Sequence, residues 1–271
     1  MLLCILVFFL STLFLKGIET MKHHLLAYAT AALDASAGNV QVAAVSDQVF
    51  SRANSNFQVP EPLQMLWSYF GGVGLARVRF NTGSLRSKGF PQLYPFSVTV
   101  LPAANAPISD WRNNPIMLRK EEDLRIEVTN GAANTVVGVI AVTNEMSQVY
   151  NVNDRDLRWL RWTSSVTGVL NSWSNLGTIT FEDTLEAGNY NVYGLTIVEA
   201  ATIAGRLVFA DQKYRPGALG HAAVNDFPPY IFNAGLGIWG SFNTYAFPQL
   251  ETFNSAAGAT TPSGFMLVGK A

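Results

Sequence analysis

The chain has 271 residues, of which 49% are apolar and only 14% are charged, and its formal net charge is −1. Soluble domains carry roughly 25% charged residues, so much of this protein's surface must be neutral. Lysine and arginine are nowhere dense enough to form a phosphate-binding stripe, so direct, sequence-specific binding of nucleic acid has no electrostatic support. The only cysteine, Cys4, lies close to the N-terminus, so the body of the chain has no disulfides and no thiol chemistry.

Residues 2–15 form an almost continuous apolar run that ends at Lys16. A membrane-spanning helix needs about 20 apolar residues, so this run is too short to cross a bilayer unaided. Its length suits the core of a signal peptide, but no basic residue precedes it and no A-x-A-like cleavage site follows. Residues 1–20 are therefore interpreted as a hydrophobic leader, either a signal or a short anchor, or as a mis-called start upstream of Met21.

Two segments early in the chain favour short helices. Residues 24–37 are rich in alanine, which has the highest intrinsic helix propensity. Residues 58–70 place Pro60 and Pro62 ahead of an apolar cluster, and proline is tolerated in the first turn of a helix. The sequence therefore predicts a few short helices here, with a loop as the alternative for the second segment.

From residue 76 onward the pattern changes to short strands separated by glycine, asparagine, proline and aspartate. Residues 135–143 (TVVGVIAVT) form a β-branched run that is typical of a strand buried on both faces. The sequence predicts strands at residues 76–80, 94–101, 124–128, 135–143, 177–181, 190–198, 203–209, 237–242, 250–253 and 265–268. Many short strands without a long helical repeat predict an all-β sandwich or barrel.

A weak internal similarity predicts two domains. Residues 118–142 and residues 185–209 each contain a polar turn, an alternating strand, a second turn and a buried strand, although they match poorly residue by residue. The stretch at residues 150–156 (YNVNDRD) is rich in turn residues and lies between the two copies. This outline divides the body into residues 21–148 and residues 149–271.

The histidines give little support for catalysis. His23 and His24 are adjacent and could bind a metal only with further ligands in a rigid frame. His221 is the only other histidine, with Asp226 five residues later, and no G-x-S-x-G nucleophile elbow accompanies them. Ordinary loop positions explain these residues better, so we predict no catalytic and no metal-binding residues.

A formal dinucleotide pattern, G-x-G-x-x-G, occurs at residues 235–240. The phosphate-binding mechanism requires such a loop to follow a strand and to open a helix. Here the glycines alternate within an aromatic strand pattern, so close packing of the backbone in a sheet is the better interpretation. We therefore predict no cofactor-binding residues.

The acidic residues are the remaining candidates for chemistry. Glu121, Glu122 and Asp123 adjoin Lys120, which is typical of a solvated turn, although paired carboxylates can hydrolyse glycosides when they are held at the right separation. The second group contains the carboxylates of residues 154 and 156, beside a basic residue at 155. This oxygen-rich stretch leaves a structural calcium ion open, but it lacks the ligand spacing and the glycine of a calcium-binding loop.

Aromatic residues in the second domain permit two interpretations. Trp159, Trp162, Trp173, Trp239 and Phe242 could form a ligand-stacking face, as in a secreted or surface carbohydrate-binding β-sandwich module. Packing in the core or in a subunit interface explains them more simply, because tryptophan buries a large area in both places. The carbohydrate-binding module stays the alternative function.

The last third of the chain contains short pieces in a recognisable order, at residues 185–190 (LEAGNY), 192–195 (VYGL), 204–209 (AGRLVF), 214–217 (YRPG), 237–242 (GIWGSF) and 248–251 (PQLE). This order resembles the closing strands of the capsid proteins of small tailless, membrane-containing bacteriophages. The pieces carry no catalytic motif, so the resemblance concerns architecture alone. The hydrophobic leader departs from that family, whose coat proteins assemble in the cytoplasm.

The resemblance implies a double jelly roll, with two antiparallel jelly-roll sandwiches in tandem, one at residues 21–148 and one at residues 149–271. It implies a structural virion protein, not an enzyme, that self-assembles as homotrimers into an icosahedral capsid. The implied partners are further copies of the chain, other capsid proteins and an internal virion membrane. No cofactor is implied apart from the structural calcium ion left open above.

Overall fold

The protein is described by a computed structural model that covers residues 23–30, 39–87, 108–130, 135–144, 155–222 and 237–271. Within these ranges the chain is all-β, with a single five-residue helix, α1 (Gly83–Ser87). The predicted leader and the strand predicted at residues 94–101 lie outside the described residues. We call residues 23–144 the first half and residues 155–271 the second half.

The strands of the first half are short, and the two longest have nine and seven residues. They are β1 (His24–Ala29), β2 (Val40–Ala44), β3 (Arg52–Ala53), β4 (Asn56–Gln58), β5 (Leu63–Gly71), β6 (Leu75–Phe80), β7 (Ser109–Asp110), β8 (Ile116–Leu118), β9 (Asp123–Leu124), β10 (Ile126–Asn130) and β11 (Val137–Thr143).

The second half contains longer strands at its two ends. Its strands are β12 (Arg155–Ser164), β13 (Val166–Gly168), β14 (Gly177–Phe181), β15 (Asn189–Leu195), β16 (Ile197–Val198), β17 (Thr202–Val208), β18 (Gly217–His221), β19 (Gly240–Asn243), β20 (Gln249–Asn254), β21 (Gly258–Thr260) and β22 (Ser263–Lys270).

The first half is built on an eight-stranded sheet in the order β6-β10-β2-β1-β11-β5-β7, with β8 also paired to β5. Its central strands β1 and β11 are antiparallel over the whole of β1, from His24 opposite Val142 to Ala29 opposite Val137. Strands β3, β4 and β9 form a small separate sheet. The hairpin between β3 and β4 turns through Asn54 and Ser55, which both have positive φ, as a tight two-residue turn requires.

The nine-stranded sheet of the second half is curled and barrel-like. Its order is β12-β14-β20-β17-β18-β16-β22-β15-β19, and β22 also pairs with β12, which closes a ring of seven strands. All described pairings in this sheet are antiparallel except that of β16 with β18. Strands β13 and β21 form a small antiparallel ribbon beside it.

Side chains on the two faces of the first sheet enter two different cores. Leu26 and Ile140, which are paired across β1 and β11, point into a core that belongs to the first half. The adjacent pair, Ala27 and Val139, points the other way, into a core shared with the second half. Because successive side chains of a strand alternate between faces, both strands must be apolar at almost every position.

The shared core joins the two halves into one body. From the first half it contains Leu25, Trp67 and Ala141 among others, and these pack with the interior of the curled sheet. All the strand pairings in the described residues join strands of the same half. The boundary between residues 148 and 149 stays a prediction, as does the assignment of each half to a jelly roll.

The two helix predictions were wrong. Residues 24–29 form β1 and residues 63–71 form β5, and residues 31–37 of the first predicted helix lie outside the described residues. Both segments lie at the centre of the first sheet, where burial on two faces outweighs the helix propensity of alanine and leucine. The single described helix, α1, lies where no helix was predicted, and Thr82 caps it through its Oγ1, which accepts the Leu85 N–H at 3.2 Å.

Candidate functional site

Five ionisable side chains meet in the interior where the two halves adjoin. His24 begins β1, and Asp47 lies in the turn that follows β2. Arg206 lies in β17 opposite Glu251 in β20, and Arg215 precedes β18. We call these five residues the ionic cluster. Two arginines balance two carboxylates, as burial of charge requires.

Asp47 is the hub on the side of the first half. Its Oδ2 accepts hydrogen bonds from Arg206 Nη1 at 2.5 Å and from His24 Nε2 at 3.1 Å. Its Oδ1 accepts the N–H groups of Val49 and Phe50 at 2.7 and 3.1 Å, which fixes the turn. All lone-pair directions of this carboxylate are therefore used, and its side chain is wholly buried.

Glu251 is the hub on the side of the second half. Its Oε2 accepts hydrogen bonds from Arg206 Nε at 2.7 Å and from Arg215 Nη1 at 2.6 Å. The Arg206 guanidinium also lies 3.9 Å above the ring of Trp173, a cation–π contact in a buried place. Arg215 reaches back to the first half, where it donates to the Gln48 side chain.

The bonds of His24 define its protonation state. Its Nδ1 accepts the backbone N–H of Arg215 at 3.0 Å, so the ring proton is on Nε2 and is donated to Asp47. Burial lowers the pKa of His24 and keeps the ring neutral. Burial alone would raise the pKa of Asp47, but the hydrogen bond from His24 and the charge and hydrogen bond of Arg206 outweigh it, so the pKa lies well below its ordinary value.

The ionic cluster is a structural site. A histidine held by a carboxylate is the usual form of a catalytic base, but here the side chains of the cluster are at most 9% exposed and bond to one another. No reactant has access to the His24 ring, which packs against Phe50 and Tyr214. What the arrangement can do is hold the two halves together.

Sequence reasoning missed four members of this cluster. Arg206 and Glu251 are each the only charged residue of their strand segments, AGRLVF and QLETF. A charge in a strand of that kind is almost never buried without a partner. That signal could have pointed to a buried pair, but it does not show which residues of the first half complete the cluster.

The other two histidines, His23 and His221, are not members of the ionic cluster. His23 and His221 are buried, and His221 ends β18, where its carbonyl accepts the Glu199 N–H at 3.0 Å. Asp226, the suggested partner of His221, lies outside the described residues. Across the described ranges, no group of three or more His, Cys, Asp or Glu side chains is placed to hold a metal ion.

The acidic residues Glu121 and Glu122, in the turn before β9, interact with neighbouring groups of the first half. Glu122 accepts the N–H of Ser84 at 2.5 Å and that of Arg119 at 2.8 Å, so it ties α1 to the turn. Glu121 is exposed, has a φ of 64° and lies 3.7 Å from Lys120. The other candidate calcium ligands are not described, apart from the backbone of residues 155 and 156, so the calcium ion stays a prediction.

The formal dinucleotide pattern ends in a strand, not in a helix. Gly240 opens β19, and a Cβ at this position would lie 2.6 Å from the Phe209 ring, so the glycine allows an aromatic ring to cross the strand. The first glycine of the pattern lies outside the described residues.

The tryptophans pack inward. Trp162, Trp173 and Trp239 are buried in the shared core together with Phe242, and Trp159 is half-buried in β12. The three buried rings are therefore not accessible to a carbohydrate ligand. They do not form the ligand-stacking face that a carbohydrate-binding module would need.

One polar pocket opens in the first half, with a volume of about 370 Å³. It is lined by amides and charged groups that largely bond to one another. Gln41 donates to Asn56 Oδ1 at 2.7 Å, and Asn81 donates to Glu127 at 3.2 Å. Three of the lining amides, those of Gln41, Asn56 and Asn81, are thus already paired.

A neutral surface distinguishes the second half. Residues 162–181 and residues 252–269 contain no charged side chain, and the pairing of β13 with β21 and of β12 with β22 brings them side by side. Val169, Leu170 and Leu176 are 46%, 55% and 43% exposed on this surface. At its border, the Glu199 carboxylate accepts the Thr261 N–H at 3.3 Å. We call the exposed part of these two segments the neutral surface.

The comparisons with known proteins leave the family open. No protein-family model matches the chain, and no curated protein matches it. One solved structure, the major capsid protein P2 from bacteriophage PM2, aligns with 92% of this chain and 98% of its own, at 11% identity and a TM-score of 0.20. The described residues contain no helix of sufficient length and apolarity to cross a membrane.

Proposed function

We propose that this protein is a structural virion protein, a capsid subunit that self-assembles as homotrimers into an icosahedral shell. The observation that carries the proposal is the neutral surface, because three large apolar side chains lie exposed in residues 162–181, a segment without charge that pairs with a second such segment. Exposed apolar surface of this kind marks places where proteins associate. A surface without charge is complementary to another copy of itself, since no charge is buried unpaired when two copies meet.

The fold adds support of a different kind. A shell subunit must keep one shape while symmetry repeats each of its contacts. The shared core and the ionic cluster join two β halves into one body in the described residues. The order of short pieces in the last third of the chain resembles tailless-phage capsid proteins, and on that resemblance we propose one jelly roll in each half.

The proposal includes no catalytic role and no cofactor. Its partners are further copies of the chain, other capsid proteins and an internal virion membrane, with the virion as its location. The resemblance motivates each of these partners, and the neutral surface supports only the first of them.

Light scattering coupled to size-exclusion chromatography tests the proposal at several concentrations. We expect a mass of three times the 29.5 kDa chain, or larger assemblies. The variant Leu170→Lys/Leu176→Lys should shift this mass towards the single chain, because association would bury two charges without partners. The matched control is Val73→Lys/Met117→Lys, which adds the same charges at exposed apolar positions of the first half, 42% and 43% exposed, and should keep the native mass.

The possible outcomes distinguish failure of the proposed capsid function from failure of the neutral surface as the contact between copies. A native protein that stays a single chain at high concentration would overturn the capsid function. An oligomer that survives equally in both double variants would keep self-association but remove the neutral surface as its contact.

A further inference from the structure

The end of β1 is completed by the other half of the molecule. Strand β2 pairs with β1 only at Tyr28 and Ala29, so it does not reach Leu25. The Leu25 N–H instead donates to the carbonyl of Arg215 at 3.0 Å, and the Leu25 carbonyl accepts Arg206 Nη1 at 3.1 Å. The second half thus supplies partners that a neighbouring strand would otherwise provide.

Arg206 is a member of the ionic cluster whose side chain bonds to groups of both halves at once. It contacts Asp47 and Leu25 in the first half, and Glu251 and Trp173 in its own half. Each of these contacts needs a particular direction, because hydrogen bonds weaken steeply when they are misaligned. A shift of one half by more than a hydrogen-bond length would therefore break several of them together.

The apolar part of the junction has no such directional demand. The hydrophobic effect is non-directional and depends on the area removed from water, so apolar contact specifies the angle between the halves less sharply than the ion pairs do. Buried charges cannot tolerate small sliding or rotation, since a charge that loses its partner inside a protein is strongly unfavourable. The buried charges therefore restrict the angle between the halves more strictly than the apolar contacts of the shared core do.

We propose that the ionic cluster is an orientation lock, which selects one angle between two halves that apolar contact would otherwise hold more loosely. The proposal is independent of self-assembly and concerns each chain by itself. A charge-balanced variant, Asp47→Asn/Arg206→Met, removes one charge of each sign and keeps Arg215 paired with Glu251.

Pulsed electron spin resonance measures the angle through a distance distribution. Spin labels are attached at Met117→Cys in the first half and Tyr245→Cys in the second, which are 43% and 89% exposed, in a Cys4→Ser background. Labelled chains are diluted with unlabelled protein so that only distances within one chain contribute. The matched control, Arg161→Met/Glu182→Gln, removes an ion pair that is about half-exposed in the second half.

We expect one narrow distance in the native chain and in the control. The charge-balanced variant should give a distribution at least twice as broad, or a second distance. A distribution as narrow as the native one would overturn the lock. If the charge-balanced variant does not fold, Arg206→Lys serves instead, because it keeps the charge but loses the planar fork that reaches several partners, and it should broaden the distribution in the same direction.

Hydrogen exchange distinguishes a local effect on the junction from a general loss of stability. The amides of Leu25 and Arg215, whose bonds cross the junction, should exchange about tenfold faster in the charge-balanced variant. The amides of β14 and β22 in the curled sheet should keep their native rates. An equal acceleration throughout the chain would show only a general loss of stability and would overturn the lock.

Discussion

The two halves of the molecule use their sheets in different ways. In the first half, β11 is buried at every position, and β1 is buried at all but its last. In the second half, β14 and β22 alternate between buried and more exposed side chains. The central strands of the first sheet therefore have a core on each face, whereas β14 and β22 have the core on one face and more exposed side chains on the other. Strands β17, β18 and β20 of the curled sheet are buried at almost every position.

This difference shows which half depends on the other. The outer face of the first sheet is apolar and needs the curled sheet to cover it. The curled sheet closes on itself, and three of the apolar side chains that the second half leaves exposed, Val169, Leu170 and Leu176, lie on the neutral surface. The apolar outer face of the first sheet is thus covered within one chain, while the exposed apolar side chains of the neutral surface are those that a second copy would cover in our proposal.

A carboxylate placed on the outer face of each sheet should give the largest contrast. Val139→Asp buries an unpaired charge between the halves and should lower the free energy of unfolding by about 5 kcal/mol or more. Ser241→Asp, on the exposed face of β19, should change it by less than about 1 kcal/mol. Urea denaturation measures both, and similar effects of the two changes would contradict the difference between the sheets.

Removal of the central charge of the ionic cluster should have the next largest effect. Arg206→Met leaves Asp47 buried with only neutral His24 beside it, and should cost about 3–5 kcal/mol. Arg112→Met, which breaks a partly exposed pair with Asp110, should cost less than about 1 kcal/mol. Chemical denaturation of both variants provides the comparison. A loss below 1 kcal/mol for Arg206→Met would remove the cluster from the account of how the halves are joined.

A methyl group in the inner core of the first half should have a smaller effect. A Cβ at Gly138 would lie 2.1 Å from Phe70 Cδ1, so Gly138→Ala must displace the ring and should cost about 1–3 kcal/mol. Gly83→Ala is the control, since its Cβ would approach Glu122 no closer than 3.5 Å in the short helix α1. Thermal unfolding of the two variants should show a clear decrease only for Gly138→Ala, and a native transition temperature there would argue against this close packing.

The smallest expected effect is the dependence of stability on pH. Burial lowers the pKa of folded His24 below its ordinary 6.5, so the unfolded chain binds this proton first as the pH falls. Stability should therefore decrease below about pH 6.5, by at most about 1.4 kcal/mol per pH unit for this group. Asp47 keeps its charge throughout this window, because its own pKa is lowered. Nuclear magnetic resonance of the His24 ring in the folded chain should give a pKa below 6.5, and a pKa above 6.5 would contradict the assignment.

Patterns confined to one segment were predicted well from the sequence. Residues 177–181 form β14 with the predicted bounds, and the fully buried run near residues 135–143 forms β11. In both places, β-branched residues and the burial pattern favour the same structure. The all-β class follows from many such segments, because each strand can be predicted from its own residues alone.

Features that depend on distant partners were not predicted. The segment HLLAYA has a composition that permits a helix, and it becomes β1 only because β11 pairs with it and two cores receive its side chains. The ionic cluster likewise joins residues far apart in the chain, for example Asp47 and Arg206. A single sequence carries no information on which distant charges meet.

Electron microscopy of the purified full chain at high concentration tests the central claim most directly. The account predicts ordered oligomers or closed shells, in which Val169, Leu170 and Leu176 are covered by neighbouring copies. Particles of single-chain size alone, with these side chains in contact with solvent at every concentration, would contradict it.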